Sequence, residues 1–244
     1  MPQEPIRVHE LESCDSTQDE LRALAVAGAP AFTAVRADVQ RAGRGRRGRA
    51  WEAPTGTALL VSILLRPQRP QHELPVLSLA GGAAAVECAR AFGAAAGLSW
   101  PNDVVCGGRK LAGVLAELGP GGSVLLGIGM NLAARGSDLP ASDRLTPTSL
   151  LLETGAAPGA REALTALLDG LRPIAAAFEA GGPPAIAERA RELDALEGQT
   201  VELRLANGDV VLGTAAGIAD DGCLLVRAAD GVRAYASGEV ARLT

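Results

Sequence analysis

The chain has 244 residues, of which 48% are hydrophobic, and a net charge of −5. Single domains have roughly 100 to 200 residues, so this length predicts one good-sized domain with a small second one, and the negative charge argues against general nucleic-acid binding. The apolar stretches stop short of the roughly 20 residues of a membrane-spanning helix and the N-terminus has no signal-peptide pattern, which predicts a cytoplasmic protein.

The hydrophobic pattern predicts strands and helices over most of the chain. Residues 6–11, 32–39 and 57–65 are predicted strands, and a helix capped by residues 15–17 is expected to end near Gly28. The Ala-rich segment 77–92 is a predicted helix, and the strands 98–100, 104–106, 110–118 and 124–131 follow, with a hairpin turn at Gly107-Gly108. Two further helices are expected over 159–180 and 184–193.

The character of the sequence changes from residue 198 onward. Short β-rich runs are separated by the turn signals 207–209, 220–222 and 230–231 at close, regular spacing. This pattern predicts a small β-barrel. We therefore place a boundary near residue 195, which gives a larger domain of residues 1–194 and a smaller one of residues 195–244.

The cysteines are scattered in a chain that is too large to need disulfide bonds for its stability. No two of them form a CxxC pair, and the four are Cys14, Cys88, Cys106 and Cys223. We expect four reduced thiols, in agreement with a cytoplasmic location.

Nearly all the basic residues of the chain are arginines. Among the 23 basic residues, Lys110 is the only lysine. Arginine and lysine replace each other as solvated surface charges, but not where a compact ammonium group is needed in a tight site. Lys110 is therefore a candidate catalytic residue, and a residual surface lysine is the alternative.

A short Gly-rich segment, residues 40–51, concentrates positive charge in an otherwise acidic protein. Its arginines are Arg41, Arg44, Arg46, Arg47 and Arg49. Glycines let a backbone fold closely around an anion, and guanidinium groups bind phosphate oxygens in pairs. The segment is not a P-loop, because no Gly-Lys-Ser/Thr follows it. It predicts a polyphosphate-binding loop that is disordered without ligand, since like charges repel, and a flexible RNA-binding segment is the alternative.

This segment resembles the GRGRxGR nucleotide-binding loop of biotin–protein ligases, including the flanking Gln40 and Trp51. Three more stretches resemble motifs of that family in the same order: residues 16–17 its biotin-binding Ser-Thr pair, 100–103 its WPND motif and 109–113 its RKLAG motif. Residues 127–131 resemble its Gly-rich strand that ends in a nucleotide-contacting Asn. The resemblance spans residues 16 to about 132, and the C-terminal barrel resembles the family's SH3-like cap.

The resemblance implies an α+β fold of the class II synthetase-like, biotinyl/lipoyl ligase type. In this fold a mixed β-sheet carries helices on one face and a small SH3-like β-barrel follows. Because the chain starts almost directly at the catalytic region, we expect a biotin–[acetyl-CoA-carboxylase] ligase of the type without an N-terminal DNA-binding domain, and no DNA binding.

The implied reaction has two steps. Biotin and Mg-ATP give biotinyl-5′-AMP and pyrophosphate, and the ε-amine of a lysine on a biotin carboxyl carrier protein then attacks the mixed anhydride. The first step brings two negatively charged groups together, so preorganised cations lower its barrier. Lys110, Arg44 and Arg46 are the expected catalytic residues, and magnesium is expected to neutralise the leaving pyrophosphate.

Carried over residue by residue, the resemblance implies two sets of binding residues. The expected biotin-binding residues are Ser16, Thr17, Gln18, Gln40, Arg44, Gly45, Arg46, Lys110 and Gly113. The expected nucleotide-binding residues are Gly43, Arg44, Arg46, Arg49, Trp51 and Asn131. Asp103 either binds the magnesium ion, holds Lys110 in place or is simply a turn residue after Pro101.

Some of these residues also have purely structural interpretations. Ser16 and Thr17 suit a helix N-cap, Trp100 suits core packing, and Asn131 either contacts adenine or ends a strand. Trp51 is expected to cover the adenine face.

Two positions depart from the family pattern, and two other functions remain open. Ser99 stands where the family often has Lys, and Gln18 stands where it commonly has Asn. Among enzymes, the alternative is a lipoate–protein ligase. The complete loop of residues 40–51, called the Gly/Arg loop below, favours biotin. An RNA-binding module built on the arginines is the alternative outside the enzymes.

Overall fold

The computed structural model describes residues 6–139 and 145–243. Its larger unit contains a seven-stranded mixed sheet with the strand order β1-β2-β3-β7-β6-β5-β4. β1 and β2 pair in parallel, and the other neighbouring strands pair antiparallel. The strands are β1 (Arg7–Cys14), β2 (Thr33–Gln40), β3 (Ala58–Leu65), β4 (Ala96–Ser99), β5 (Asp103–Cys106), β6 (Arg109–Leu118) and β7 (Val124–Asn131).

Five α-helices accompany this sheet in the described residues. They are α1 (Thr17–Val26), α2 (Leu77–Ala91), α3 (Leu150–Thr154), α4 (Ala160–Gly181) and α5 (Pro183–Glu192). The predicted helices correspond to α1, α2, α4 and α5, whereas α3 lies in a stretch for which no helix was predicted. α1 begins as predicted, because the side chain of Ser16 accepts a hydrogen bond from the backbone N–H of Gln18 and caps the helix.

The helices cover both faces of the sheet. Successive residues of a strand point to opposite faces. On β3, Ile63 and Leu65 belong to the core formed with α2 and α4, whereas Leu64 packs with Leu21 of α1. The mixed sheet with helices is confirmed, but the expectation of helices on one face alone is wrong. Every residue of β3 is buried, and a strand that is buried along its whole length is typical of a sheet covered on both sides.

One segment of the core passes a length and composition test for a membrane span. Gln71–Ala91 is long and apolar enough to cross a membrane, but 72% of its most apolar stretch is buried inside the protein. Two of its glycines allow close packing on the sheet, since a Cβ at Gly82 would lie 2.5 Å from Cδ1 of Leu98 and one at Gly81 would lie 2.9 Å from Cδ1 of Leu126. This is the packing of a core helix, so the segment does not support a membrane span.

The C-terminal residues form a separate five-stranded antiparallel sheet with the order β11-β10-β9-β8-β12. Its strands are β8 (Thr200–Arg204), β9 (Val210–Ile218), β10 (Leu224–Ala228), β11 (Gly231–Tyr235) and β12 (Glu239–Arg242). The predicted turns join consecutive strands, and Gly208 and Gly222 adopt φ angles of 92° and 85°, which glycine tolerates best.

The two units meet at the WPND motif and at the end of α5. Nε1 of Trp100 donates a hydrogen bond to the carbonyl of Gly222 over 2.9 Å. Residues 193–195 run beside β4, where Leu98 donates its N–H to Leu193 over 2.7 Å and accepts one from Ala195 over 2.8 Å. Backbone hydrogen bonds therefore hold the segment between the two units against β4.

Asp194 is a largely buried carboxyl group at this junction. Its Oδ1 accepts a hydrogen bond from the N–H of Leu196 over 2.8 Å, and burial raises the pKa of Asp194 to about 6. The unfolded chain releases this proton near pH 4, so raising the pH from about 4 to above 6 favours the unfolded state.

Asp194→Asn is expected to stabilise the protein above pH 6 by roughly 1 to 3 kcal/mol, because it removes the buried charge and keeps the oxygen that accepts from Leu196. Near pH 4 the substitution should have little effect. Thermal melts at both pH values measure this difference, with Asp209→Asn in an exposed turn as the control. An equal stabilisation at both pH values would contradict the explanation.

Candidate active site

A cavity of about 400 Å³ lies on the α1 side of the larger sheet, beneath the Gly/Arg loop. Its floor contains Gly113 of β6 and Gly127 and Gly129 of β7. A Cβ at Gly129 would lie 2.3 Å from Cε2 of Trp51, and one at Gly127 would lie 3.2 Å from Cδ of Gln18. The glycines therefore let an aromatic ring and an amide rest directly on the strands.

The start of α1 and the end of β2 form one end of this cavity. The backbone N–H and the hydroxyl of Thr17 both donate to Oε1 of Gln40, over 2.8 and 3.0 Å. Ser16, Thr17 and Gln18 are buried and line the cavity together with Gln40. Ser16 caps the helix and also lines the cavity, so its two interpretations are compatible.

The Gly/Arg loop is closed at its base by backbone pairing. Trp51 donates its N–H to the carbonyl of Gly43 over 2.9 Å, and Gly45 donates to Arg49 over 2.7 Å. A Cβ at Gly43 would lie only 2.4 Å from the carbonyl oxygen of Trp51. Gly43, an expected nucleotide-binding residue, thus closes the loop and does not line the cavity, unlike Arg44, Gly45, Arg46 and Arg49.

Carboxylates from α1 and β12 accompany the loop arginines. Arg44 makes two hydrogen bonds to Asp19, over 2.7 and 2.8 Å, and these lower the pKa of the Asp19 carboxyl. Glu239 of β12 pairs with Arg49 and lies 3.6 Å from Nη1 of Arg47. These carboxylates offset the repulsion among the arginines on which the prediction of a disordered loop was based.

Disorder of the ligand-free loop remains a prediction, because its glycines still lose backbone entropy on ordering. Trypsin is expected to cut within residues 41–49 about tenfold or more slowly when saturating biotin and Mg-ATP are present, since ligands that bind the closed loop suppress its opening. Mass spectrometry of the earliest fragments measures the two rates. Equal rates would contradict the prediction.

Lys110 lies in the cavity beside a buried carboxylate. Its Nζ lies 2.7 Å from Oδ1 of Asp103, whose side chain is 1% exposed, and 5.6 Å from the ring centre of Trp51. Backbone hydrogen bonds from Lys110 to Thr146 and from Thr148 to Lys110, both 2.8 Å long, fix the strand at this point. Lys110 is therefore not a residual surface lysine.

These contacts favour one of the three interpretations of Asp103, namely that it holds Lys110. Among residues 6–139 and 145–243, no three His, Cys, Asp or Glu side chains are grouped as a metal site. Magnesium in nucleotide sites is usually held by one or two carboxylates together with the substrate phosphates, so such a group of side chains is not required for it.

Two further predicted residues have structural contacts as well as places near the cavity. Asn131 lines the cavity, and its Nδ2 donates to the carbonyl of Thr148 over 2.8 Å, which fixes the segment next to Lys110. Trp100 is 2% exposed, so core packing is the correct interpretation of its ring, and the neighbouring Pro101 and Asn102 line the cavity.

The cavity lining also includes Ser62, Asn102 and Glu239, which were not among the expected binding residues. Ser62 is a buried hydroxyl in the middle of the apolar strand β3, and this lone polar residue was a usable signal. Asn102 accepts a hydrogen bond from Arg46 over 3.0 Å. Glu239 comes from the C-terminal sheet, and nothing in its local sequence indicates that β12 lies beside the Gly/Arg loop.

The cavity thus joins a buried polar end, a lysine paired with a carboxylate and an arginine-rich loop, as an enzyme that activates a carboxylate with a nucleotide requires. The model of the biotin/lipoate A/B protein ligase family matches residues 11–132, and that of the biotin protein ligase C-terminal domain matches residues 198–243. The chain belongs to the biotin/lipoate A/B protein ligase family.

Individual relatives agree with this assignment. The biotin–[acetyl-CoA-carboxylase] ligase of Mycobacterium tuberculosis is 34% identical over 93% of this chain and 86% of its own length. The bifunctional ligase/repressor BirA of Bacillus spizizenii is 37% identical over 57% of this chain, and the match spans 45% of that protein. The biotin protein ligase of Aquifex aeolicus in complex with biotin and ATP has a TM-score of 0.84 at 28% identity, covering 97% of this chain and 98% of that one.

Proposed function

We propose that the protein is a biotin–protein ligase. It joins biotin to AMP with release of pyrophosphate and transfers the biotinyl group to a lysine of a biotin carboxyl carrier protein. The observation that carries this proposal is that one cavity is lined both by Lys110, which pairs with the buried Asp103, and by three arginines of the Gly/Arg loop, Arg44, Arg46 and Arg49. The Aquifex aeolicus relative, which contains biotin and ATP, supports the choice of substrates.

In the proposed first step a carboxylate oxygen of biotin attacks the α-phosphorus of ATP. The bond between this phosphorus and the oxygen that bridges to the β-phosphate breaks, and pyrophosphate leaves with its electron pair. Lys110 lies between the carboxylate and the α-phosphate and reduces their repulsion, and Arg44 and Arg46 stabilise the phosphate charge. Such preorganised donors are each worth about 3 kcal/mol in comparable sites.

The two ends of the cavity receive different parts of the substrates. The proposed biotin-binding residues are Ser16, Thr17, Gln18, Gln40, Arg44, Gly45, Arg46, Lys110 and Gly113. The proposed nucleotide-binding residues are Arg44, Arg46, Arg49, Trp51 and Asn131, with Gly43 acting through the loop base. Magnesium is proposed only as the ion that accompanies the ATP phosphates.

In the second step the neutral ε-amine of the carrier lysine attacks the carbonyl carbon of biotinyl-AMP. The C–N bond of the amide forms, the C–O bond to AMP breaks, and the amine loses a proton to solvent.

The four cysteines are free thiols, which supports a cytoplasmic location. We also propose residues 1–194 as the catalytic domain and residues 195–244 as the C-terminal domain.

The proposal is tested by incubating the protein with Mg-ATP and either biotin or lipoate. Pyrophosphate release that needs biotin, with biotinyl-AMP detected by mass spectrometry, is the expected result. Release with lipoate alone would indicate a lipoate ligase. Salt-sensitive retention of RNA without pyrophosphate release would indicate an RNA-binding module.

A further inference from the structure

Lys110 is the only lysine of the chain, and it lines the cavity in which the proposed reaction forms an acylating intermediate. Biotinyl-AMP is a mixed anhydride, and a neutral amine attacks its carbonyl carbon. An ammonium that stabilises this intermediate lies beside its carbonyl and phosphate oxygens. The side-chain amine of the chain that is nearest the reactive carbon is therefore that of Lys110 itself, and it must not take the biotinyl group before the carrier lysine does.

Whether Lys110 can react depends on whether it carries its proton. An ammonium group has no lone pair and cannot attack a carbonyl carbon. Enzymes make lysines reactive by desolvating them or by placing other cations nearby, since both favour the neutral amine. Lys110 has such surroundings, because Nζ lies 3.3 Å from the place that a Cβ at Gly113 would occupy, and three loop arginines line the same cavity. Without a counter-charge, this environment favours the reactive form.

Two contacts of Lys110 favour the charged form instead. Its Nζ lies 2.7 Å from Oδ1 of the buried Asp103 and 5.6 Å from the ring centre of Trp51, which is within the range of cation–π attraction. Both attractions require the positive charge and therefore oppose loss of the proton. Asp103 makes the stronger contact, because a full opposite charge at this distance acts more strongly than the quadrupole of a ring.

A β-bulge places Lys110 where it meets Asp103. The pairing of β5 with β6 shifts by one residue between Val104 and Val105, so that Asp103 pairs with Gly113 whereas Val105 pairs with Lys110. The extra residue puts both Leu111 and Ala112 into the core, and Lys110 and Gly113 both line the cavity. Bulges re-aim side chains in this way. The contact is therefore built into the strands and does not depend on a loop.

We propose that Asp103 is a positioning residue that holds Lys110 as an ammonium and thereby prevents the enzyme from acylating its own lysine. This inference rests on the proposed function, because biotinyl-AMP is the acylating group. In the suppressed reaction, neutral Nζ attacks the carbonyl carbon and the C–N bond forms. The C–O bond breaks, its electron pair leaves with AMP, and the amine proton passes to solvent. Asp103 acts through Lys110 and does not itself react.

The first experiment measures the reactivity of Lys110 without biotin or ATP. The full chain contains one lysine and one N-terminal amine, so brief labelling with acetic anhydride and peptide mass spectrometry give the ratio of acetylation at the two. Asp103→Asn keeps the shape of the side chain and removes its charge. It is expected to raise this ratio by about tenfold or more, since removing a close opposite charge favours the neutral amine by about that factor.

The second experiment supplies biotinyl-AMP itself, so the result does not depend on adenylation by the variant. Wild-type protein at saturating biotinyl-AMP, without a carrier, should stay unmodified at Lys110. Asp103→Asn should gain one biotinyl group there, at a rate about tenfold or more above that of the wild type. A purely structural role of Asp103 would lower stability or binding but would not create this modification.

Matched variants identify the cause of the added group. Asp103→Asn combined with Lys110→Arg leaves the chain without any lysine and should gain no biotinyl group at position 110. Asp209→Asn, in an exposed turn, removes the same charge elsewhere and should behave like the wild type. Asp103→Ala removes the charge a second time and should react at least as fast as Asp103→Asn. Thermal melts show that each protein is folded at the temperature of labelling.

The outcomes separate the inference from the proposed function. Wild-type protein that forms no biotinyl-AMP from biotin and Mg-ATP would contradict the proposed function, whereas the acetylation ratio would still test the effect of Asp103 on Lys110. An unchanged ratio in folded Asp103→Asn and Asp103→Ala would overturn the inference and leave the function intact. Biotinylation of Lys110 in the wild type as fast as in the variants would do the same.

Discussion

Lys110→Arg is expected to lower biotin-dependent pyrophosphate release by on the order of a hundredfold or more, at saturating biotin and ATP, without unfolding the protein. The substitution keeps the charge but replaces a compact ammonium with a wide planar group. The ammonium lies 2.7 Å from a carboxylate that is 1% exposed, so a guanidinium cannot occupy the same position. The misplaced charge no longer stabilises the reacting oxygens.

Lys110→Ala should be at least as damaging to the reaction and should also lower the melting temperature. It removes the ammonium from beside the buried Asp103, and breaking a buried pair in this way typically costs several kcal/mol. Arg109→Lys is the control, since Arg109 lies next along β6 but bonds Glu153 over 2.9 and 3.0 Å outside the cavity. Near-normal turnover in Lys110→Arg would overturn the catalytic role of this lysine.

Much of the candidate site could be predicted because its chemistry is concentrated in contiguous motifs. The loop of residues 40–51, the Ser16-Thr17 pair and Lys110 carry recognisable side chains at short spacing. The structure brings these motifs together around one cavity. The cavity shows that these residues lie close together. Their individual roles in binding and in the reaction stay predictions.

The remaining features depend on contacts between residues distant in the chain. Ser62 and Thr17 are 45 positions apart in the chain. Arg49 and Glu239 belong to two different units, and the local sequence pattern predicts each unit but not the contacts between them. The position of α1 was missed for the same reason, because an amphipathic helix indicates that one of its sides is buried but not which face of the sheet buries it. Residues at such contacts are recognised locally only when they break a pattern, as Ser62 does in β3.

The departures from the family pattern have different structural consequences. Ser99 ends β4 and is buried, and it does not line the cavity. Gln18 lines the cavity and its amide spans two strands through Leu115 and Leu125. The longer side chain of glutamine, compared with asparagine, makes this double contact possible.

Gly129→Ala is expected to lower kcat/KM for adenylation by on the order of a hundredfold. The new Cβ would lie 2.3 Å from Cε2 and 2.6 Å from Nε1 of Trp51, against about 3.5 Å for ordinary contacts. The indole must therefore move by about 1 Å, and displacements of that size in a reacting site can cost a hundredfold. Lys110 lies over the same ring, so its position changes too.

The cause can be separated from a general effect of adding a methyl group. Gly136→Ala, where a Cβ meets nothing within 4 Å, should behave like the wild type, and Gly127→Ala, which meets the movable amide of Gln18 at 3.2 Å, should have a smaller effect. The chain has only two tryptophans, and Trp100 is buried at the junction. A change in tryptophan emission in Gly129→Ala therefore reports on Trp51. If Gly129→Ala is as harmful in a Trp51→Ala background as in the wild type, displacement of the indole is not the reason.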